Sequence, residues 1–293
     1  MATTETPPTA ATDLDAELAG LDALETGPSR SRLRVRTAWA ATWPKLVAIA
    51  LALLIWQVVV WSGWRPEYVL PGPAKVFSKL TSDFGALVEG SVTTLQRAVV
   101  GFALALVIGV VLGALVSRSK VLRAGLGSMI TGLQTMPSIA WFPLAIVLFK
   151  LSEGAIYFVV VIGAAPSIAN GLIGGVDHIP PVLLRAGRVL GARGFASLRH
   201  VILPAALPAF VNGLKQGWAF AWRSLLAGEL LVLIAGNRTL GGLLDANRQV
   251  FDTAGLISVM IVILVIGIVV DSVLFGTLDK VIRRRYGLID TAR

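Results

Sequence analysis

The chain has 293 residues, of which 55% are hydrophobic and only 15% are charged. Soluble domains carry about a quarter charged residues, and the mean hydropathy of +0.77 likewise excludes an ordinary soluble globule. The formal net charge is +9, but the basic residues cluster in short segments between apolar runs, a distribution that favours membrane topology over nucleic-acid binding. The chain contains no cysteine, which rules out disulfides and thiolate metal sites.

The first 43 residues differ from the rest. They are rich in Thr and Ala and lack an apolar core, and the basic run RSRLRVR lies near their end. A cleavable signal is not expected, because no apolar region with a small-residue cleavage site follows Met1. We predict a disordered cytosolic tail at 1–43 that ends in a basic anchor.

Six apolar runs follow, each about long enough to cross roughly 30 Å of hydrocarbon as a helix. They occupy residues 46–62, 95–116, 125–149, 155–175, 205–234 and 255–277. Prolines interrupt the third and fourth runs, and charged residues interrupt the fifth, so we expect some spans to be kinked or partly inserted. The expected fold class is an all-α polytopic membrane protein with about six transmembrane helices.

Lys and Arg concentrate before the first span and after the second, fourth and sixth. These segments share one side if every span crosses, and the positive-inside rule then places both termini in the cytosol. Residues 63–94 would lie outside, where Val76, Phe77 and Leu80 have the spacing of a short amphipathic helix at the membrane interface. Trp61 and Trp64 would mark the outer boundary.

The segment 176–203 is too regular for a simple loop. Pro180 and Pro181 are suited to start a helix, and Gly191 is suited to the left-handed position that ends one. A second short helix is expected after Gly194. Apolar residues repeat at helical spacing in both: Val182, Ala186, Val189 and Leu190 in the first, and Phe195, Leu198 and Ile202 in the second. Such a short pair cannot bury its apolar stripe alone, so it needs the ends of the membrane helices or another protein as a partner.

The stretch LLRAGRVLGARGFASLRHVILPAALPAFVNG resembles the cytoplasmic signature loop of permease subunits in binding-protein-dependent ABC importers. Ala186, Gly191 and the ending Ile202, Leu203, Pro204 match that signature, whereas Arg185 replaces its glutamate and Gly187 its second alanine. Three further segments, LPGPAKVFSKL, TMPSIAWFPLAIVLFKLSEGA and AWRSLLAGELL, make the chain similar to the permeases for sulfonates, taurine, nitrate and related solutes. The resemblance covers roughly residues 45–287.

This resemblance implies the type I ABC importer permease architecture over 44–287, with a short tail at 288–293. It implies a multi-pass subunit of the cell (inner or plasma) membrane, surrounded by lipid. The implied partners are a second copy of the chain, two ABC ATPase subunits that bind ATP and Mg, and an extracytoplasmic solute-binding protein. The residues 176–203 would form the coupling loop, with ATPase contacts at Arg185, Ala186, Gly187, Gly191, Ala192, Phe195, Leu203 and Pro204.

Two readings of Arg185 stay open. It would meet an acidic residue on the ATPase, or it would face water or lipid headgroups.

Ionisable side chains cost roughly 2.5–3.5 kcal/mol each near the bilayer centre, so Arg223 and Glu229 in the fifth span need an explanation. They are six residues apart and project in different directions. Either Arg223 lines the passage and favours anionic solutes while Glu229 is tied to a neighbouring helix, or internal helix contacts satisfy both. The candidate path residues are Gln134, Trp141, Trp222, Arg223 and Glu229, with helix packing as the alternative role for the amide and the tryptophans. Asp271 is expected to reach the interface or to pair with a basic tail residue.

Missing motifs narrow the function further. The chain has no G-x-x-x-x-G-K-[ST] phosphate loop, so it is not expected to hydrolyse ATP or to bind a cofactor itself. Its only histidines are His178 and His200, which argues against a metal site. A stand-alone channel or secondary transporter would explain the spans but not the two-helix loop, and a membrane-embedded enzyme would require a catalytic cluster that is not found. The sequence does not choose the solute, nor between homodimer and heterodimer.

Overall fold

The structure is a computed structural model that describes residues 30–234 and 236–285. The greater part of the predicted N-terminal tail and the C-terminal segment 288–293 lie outside these residues. The chain divides into two units, Met1–Arg65 and Pro66–Arg293, and each is described by itself.

The described residues of the first unit, 30–65, contain one helix, α1 (Arg30–Trp61). Its part from Thr42 to Trp61 is long and apolar enough to cross a membrane, which agrees with the first predicted span. Residues 30–43, which include the predicted basic anchor, are helical. The segment is rich in Arg and Ala, which are strong helix formers, and they extend the helix beyond the apolar run.

The second unit is helical wherever the structure describes regular structure. Its helices are α2 (Pro73–Ser82), α3 (Phe84–Arg118), α4 (Lys120–Thr135), α5 (Phe142–Phe149), α6 (Glu153–Asp177), α7 (Pro181–Val189), α8 (Leu203–Leu231), α9 (Leu240–Gln249), α10 (Thr253–Val269) and α11 (Gly276–Arg285). A 3₁₀ turn, Ser138–Trp141, precedes α5. Two π-helical segments, Leu198–Ile202 and Val270–Phe275, lead into α8 and α11.

Five helices of the described chain are long and apolar enough to span a membrane, and a sixth span arises if α4 and the segment Ser138–Phe149 are counted together. That pair is bent by 103° next to Pro137, where we expected an interrupted span. Pro166, by contrast, lies inside the continuous helix α6. The prediction of an all-α protein with about six spans is confirmed.

The fifth span begins earlier than predicted. A helical turn, Phe195–Ser197, and the π-helical segment Leu198–Ile202 run directly into α8. The expected second short helix of the loop is therefore the first part of this span. Pro204 cannot donate a backbone hydrogen bond, and its position in the first turn of α8, beside the wider π turn, accommodates that loss.

Helix α6 lies between α3 and α8 and contributes more residues to the buried core than any other helix described. On α3, a stripe of small residues at four-residue spacing faces α6: Gly101, Ala105, Gly109 and Gly113. On the other side α6 crosses α8 at Gly171 and Gly213, where a Cβ added to Gly171 would lie 2.5 Å from the Cα of Gly213. Lipid chains are as apolar as the helices, so close approach of backbones is the main source of helix association here.

Helices α3 and α6 run parallel to each other and α8 runs antiparallel to both, and together they define two ends of the second unit. We call the end that carries α7 the loop end; there the Arg123 guanidinium meets the Asp177 carboxylate at 2.6 Å. We call the opposite end, which carries α2 and α9, the cap end. At the cap end the side chain of Val76 on α2 is buried while Phe77 is exposed, and the Ser258 hydroxyl of α10 donates to the Val76 carbonyl at 3.1 Å.

Candidate functional site

At the loop end, α7 begins with Pro181 in its first turn, as predicted, and ends before Gly191. The φ of Gly191 is +83°, the left-handed region that favours glycine at a helix end. Helix α7 packs directly on the π-helical segment, because a Cβ added to Gly187 would lie 2.7 Å from Cγ2 of Val201. The Ala192 amide donates to the Gly187 carbonyl at 2.8 Å, which closes the bend between the two helices.

The opposite side of this bend is not packed against any described part of the chain. Its apolar residues are exposed, with Val189 at 87% and Leu190 at 86%. We call the set the loop surface; it consists of Val182, Leu183, Val189, Leu190 and Phe195. Of the residues expected to contact an ATPase, Gly187 is buried, Ala192 and Pro204 are half-buried, and the rest are exposed: Arg185, Ala186, Gly191, Phe195 and Leu203.

Between the two ends, the break between α4 and α5 is held by side chains from the core helices. The Asn170 amide of α6 donates to Oε1 of Gln134 at 2.6 Å, and the Ser224 hydroxyl of α8 donates to that of Ser138 at 2.7 Å. The outer face of the break remains exposed at Met136, Pro137, Ile139 and Ala140. Irregular backbone at membrane depth is tolerated only where it meets protein or a water-filled cavity.

Helix α8 carries polar side chains beside this break. Asn212, Gln216 and Arg223 are all exposed, and their spacing of four and seven residues puts them on one helix face. We call them the polar stripe. Within 30–234 and 236–285 no carboxylate pairs with Arg223, whose guanidinium lies 5.9 Å from the ring centroid of Phe220.

The other predicted path residues lie outside the polar stripe. Trp222 is buried and stacks on Trp218, with 6.3 Å between ring centroids. Trp141 is half-buried, and its indole nitrogen has no hydrogen-bond partner. Glu229 is only 1% exposed and belongs to a cluster at the cap end. Of the predicted set, Gln134 and Trp141 therefore lie at the broken span and Arg223 lies on the polar stripe, whereas Trp222 packs in the core and Glu229 lies at the cap end.

Glu229 is tied to neighbouring helices, as one of the two interpretations predicted. Its Oε2 accepts from the Thr94 hydroxyl of α3 at 2.9 Å, and its Oε1 lies 3.5 Å from the Arg97 guanidinium. Arg97, which is 5% exposed, also donates to the Glu153 carboxylate of α6 at 2.8 Å. We call Thr94, Arg97, Glu153 and Glu229 the cap cluster.

The sequence analysis overlooked Arg97, although it lies inside the second predicted span in the stretch TTLQRAVVGF. A cation in an apolar run is itself a signal, because it requires a partner at membrane depth. Glu153 is the first residue of α6 and lies 56 residues after Arg97 in the sequence. Their pairing depends on how α3 and α6 pack and could not be predicted from local sequence.

Asp271 does not pair as expected. Its carboxylate lies 3.1 Å from the Lys215 ammonium of α8, and not against a basic tail residue. The π-helical segment places Asp271 beside α8, and the two half-exposed side chains form the pair across the helices.

At the cap end, α2 is linked to α10 through Lys79 and Asp252, whose charged atoms are 3.0 Å apart. The backbone amide of Gly255, with help from Lys79, lowers the pKa of Asp252 below its usual range. Hydrogen bonds to Asp252 and Asp83 raise the pKa of Lys79. Lys79 and Asp252 therefore both stay charged around neutral pH.

In the part of the chain that the structure describes, no group of three or more His, Cys, Asp or Glu side chains could hold a metal ion. The geometry provides an uncovered apolar surface at one end, a polar stripe beside a broken span in the middle, and a buried ionic cluster at the other end.

These features agree with the comparisons to known proteins. Residues 105–284 match the family described as the inner membrane component of binding-protein-dependent transport systems. The chain is 31% identical over 242 residues to a putative ABC transporter permease protein of Methanocaldococcus jannaschii, covering 80% of this chain and 90% of the relative. It is 32% identical over 200 residues to the bicarbonate transport system permease protein of Synechococcus elongatus, covering 64% and 71%. A nitrate import permease protein of the same organism is 30% identical over 201 residues, also covering 64% and 71%.

Among solved structures, the fold is similar to an inward-facing methionine ABC transporter, with a TM-score of 0.59, 20% identity and coverage of 69% of this chain and 98% of that chain. The chain therefore belongs to the family of membrane components of binding-protein-dependent ABC transporters. It is a multi-pass permease subunit that works with an ATPase and a binding protein. Nucleotide is bound by the ATPase partners, and the family to which this chain belongs is their membrane component. This membership places the chain in an importer rather than among stand-alone channels or secondary transporters.

Proposed function

We propose that this permease forms the translocation path for a small anionic solute, with the polar stripe and the broken span as its lining. The observation that carries the proposal is the exposed Arg223 on a membrane-spanning helix, with no carboxylate partner among the described residues. An arginine exposed to lipid costs roughly 2.5–3.5 kcal/mol near the bilayer centre, so it faces water or protein instead.

The surroundings of Arg223 support a water-filled path. Its neighbour Ser224 bonds to Ser138, which places the stripe beside the exposed irregular backbone of the broken span. Both features need a polar environment at membrane depth. The polar stripe and the broken span would share one polar environment if this face of the chain meets the same face of a second copy across a central passage.

The solute class follows from charge. Arg223 is a cation without a carboxylate partner among the described residues, and a guanidinium presents a planar fork of donors that fits carboxylate-like and oxoanion groups. Two of the relatives are named for bicarbonate and nitrate, which are both small oxoanions. Sulfonate and taurine share an anionic group of the same kind.

The experiment compares Arg223→Gln with Arg223→Lys in proteoliposomes that contain the complete importer and its binding protein. We expect uptake of the transported anion to fall at least about tenfold for glutamine and to recover in part for lysine, with normal assembly. Arg118→Gln is the control, because Arg118 is an exposed arginine in the last turn of α3, outside both the polar stripe and the loop. Equal uptake by the Arg223→Gln importer and the wild type would remove Arg223 from the path.

We further infer that residues 176–203 form the coupling loop and that the loop surface binds the ATPase. Five exposed apolar side chains on one short bend form a patch of the kind that marks a protein-binding site. Val189→Asp is expected to abolish co-purification of the ATPase while the permease still inserts in the membrane. Val121→Asp on α4 is the control, since Val121 is similarly exposed, at 81%, but lies outside the loop. Full ATPase retention by the Val189→Asp permease would contradict the inference.

The topology completes the proposal. Basic residues before α1, at the start of α4, in the loop and in α11 support a topology in which the loop end and both termini are cytosolic. The cap end then faces the binding protein. Two copies of the permease with two ATPase subunits form the transporter, and this is tested by the mass of the purified complex.

A further inference from the structure

We propose that Glu229 and Thr94 are positioning residues that couple the cap helix α9 to the movement of α8, and so carry the state of the loop end to the face that receives the binding protein. The proposal rests on the proposed function, because it uses the same orientation and the same partners. It concerns residues that neither the polar stripe nor the loop surface includes.

The attachment of α9 to α8 passes through buried polar atoms. The Thr94 hydroxyl donates to Oε2 of Glu229 at 2.9 Å and accepts from the backbone amide of Leu240 at 2.9 Å. The amide of Gly241 donates directly to the same Oε2 at 3.2 Å. The Glu229 carboxyl group thus holds the Gly241 amide directly and the Leu240 amide through Thr94, at the first turn of α9, where unpaired backbone amides need acceptors.

This attachment also leaves little room for slippage. Thr94 is fully buried and Glu229 is 1% exposed, so water cannot replace either partner. A Cβ added to Gly241 would overlap Cβ of Glu229, which means that the first turn of α9 rests directly on α8. Buried hydrogen bonds of this kind are short-range and directional, and α9 must follow the last turn of α8.

The opposite end of α8, through the helical segment that precedes it, contacts α7 at the loop end. From Phe195 to Leu231 the helix is continuous over 37 residues, or about 55 Å at 1.5 Å per residue. Near its start, Val201 lies against Gly187 of α7. A displacement of α7 therefore reaches Glu229 through one continuous helix, whose departure from α-helical geometry is the π-helical segment beside α7.

Beside its contact with Glu229, α9 has an open side. Together with the preceding segment it lines a cavity of about 360 Å³, bordered by Asn237, Thr239, Gly242 and Gln249 among others. The Thr239 hydroxyl accepts from the Gly242 amide at 3.0 Å, so the start of α9 belongs both to this cavity and to the attachment. A binding protein that docks at the cap end meets a helix whose position α8 sets.

The test uses the complete importer, purified from membranes with its own ATPase subunits, in nanodiscs. ATP hydrolysis is measured without and with saturating solute-loaded binding protein, and the stimulation is the ratio of the two rates. We expect Glu229→Gln and Thr94→Val to lower this ratio by about 2- to 30-fold, the range over which residues between two sites change their coupling. Basal hydrolysis and subunit composition should stay at wild-type levels, and Thr94→Ser should restore the ratio.

Lys75→Gln is the control, because Lys75 pairs with Glu67 at the same end with both side chains exposed. If Glu229→Gln and Thr94→Val keep the wild-type ratio, the coupling role is wrong while the importer function stands. If basal and stimulated rates fall in the same proportion, the cluster only holds the fold together and the proposal is overturned. A wild-type complex without any stimulation would overturn this inference and the proposed function together.

Discussion

Substitution of Gly171 by alanine should destabilise the protein, while the same change at Gly174, three residues further along α6, should stabilise it. The two positions belong to one helix and differ in what faces them. A Cβ at Gly171 would lie 2.5 Å from the Cα of Gly213 on α8, whereas a Cβ at Gly174 meets nothing within 4 Å.

The magnitude follows from that distance. Non-bonded carbon atoms prefer a separation of about 3.5–4.0 Å, so α6 and α8 must move apart by about 1 Å at the crossing. The opposing atom belongs to the backbone and cannot rotate away. Overpacking of this kind costs about 1–3 kcal/mol. At Gly174 alanine should instead add about 0.5–1 kcal/mol, since it lowers the entropy lost when the helix forms.

The assay is reversible unfolding of the purified permease in mixed detergent micelles, followed by tryptophan fluorescence. The free energies of unfolding of the two variants should differ by about 2–4 kcal/mol, with opposite signs relative to the wild type. Equal effects at both positions would refute the close crossing of α6 and α8. Gly213→Ala offers a second test from the partner helix, because its Cβ would lie 2.6 Å from the Cα of Gly171.

Three further outcomes are expected. Arg97→Gln should lower the free energy of unfolding by about 3–5 kcal/mol because it leaves Glu229 buried without its cation, and replacing both residues by leucine should recover most of that loss; a mild effect of Arg97→Gln alone would contradict this. The lowered pKa of Asp252 means that its contribution to stability is present above about pH 4, its unfolded pKa, and is lost as the pH falls further through the folded value; melting curves between pH 7 and 3 should lose part of their acid dependence in Asp252→Asn. Gly187→Ala should push α7 off the π-helical segment and weaken ATPase retention, and Val201→Ala should restore it by removing the opposing methyl groups; failure of this rescue in a pull-down would argue against direct packing at that point.

Much of the candidate site could be read from local sequence. The start of α7 at Pro181 and the end before Gly191 depend on proline and glycine backbone preferences. The spacing of the apolar residues in 182–195 also indicated an uncovered face. The break in the third span was expected from its prolines, since each removes a backbone donor.

The contacts of the charged residues at membrane depth were harder to predict from the sequence. The sequence showed that Arg223 and Glu229 project differently, and it left open whether internal contacts satisfy both. The fold separates them: Glu229 meets Thr94 of α3, 135 residues away, and Arg223 stays exposed. Trp222 could not be assigned either, because indole rings suit a passage and a core equally well, and only packing against Trp218 buries it.

By itself the sequence determined the class of protein, the approximate number of its spans and the limits of the first helix of its loop, because these depend on apolar length and on local backbone preferences. Only the tertiary structure decided which polar groups meet. The cap cluster joins α3, α6, α8 and the start of α9, and such contacts depend on how helices distant in sequence cross and in what register. The physical reason is that hydropathy reports a residue's preference for lipid or water, whereas pairing in a low-dielectric interior depends on distances of about 3 Å that helix packing sets.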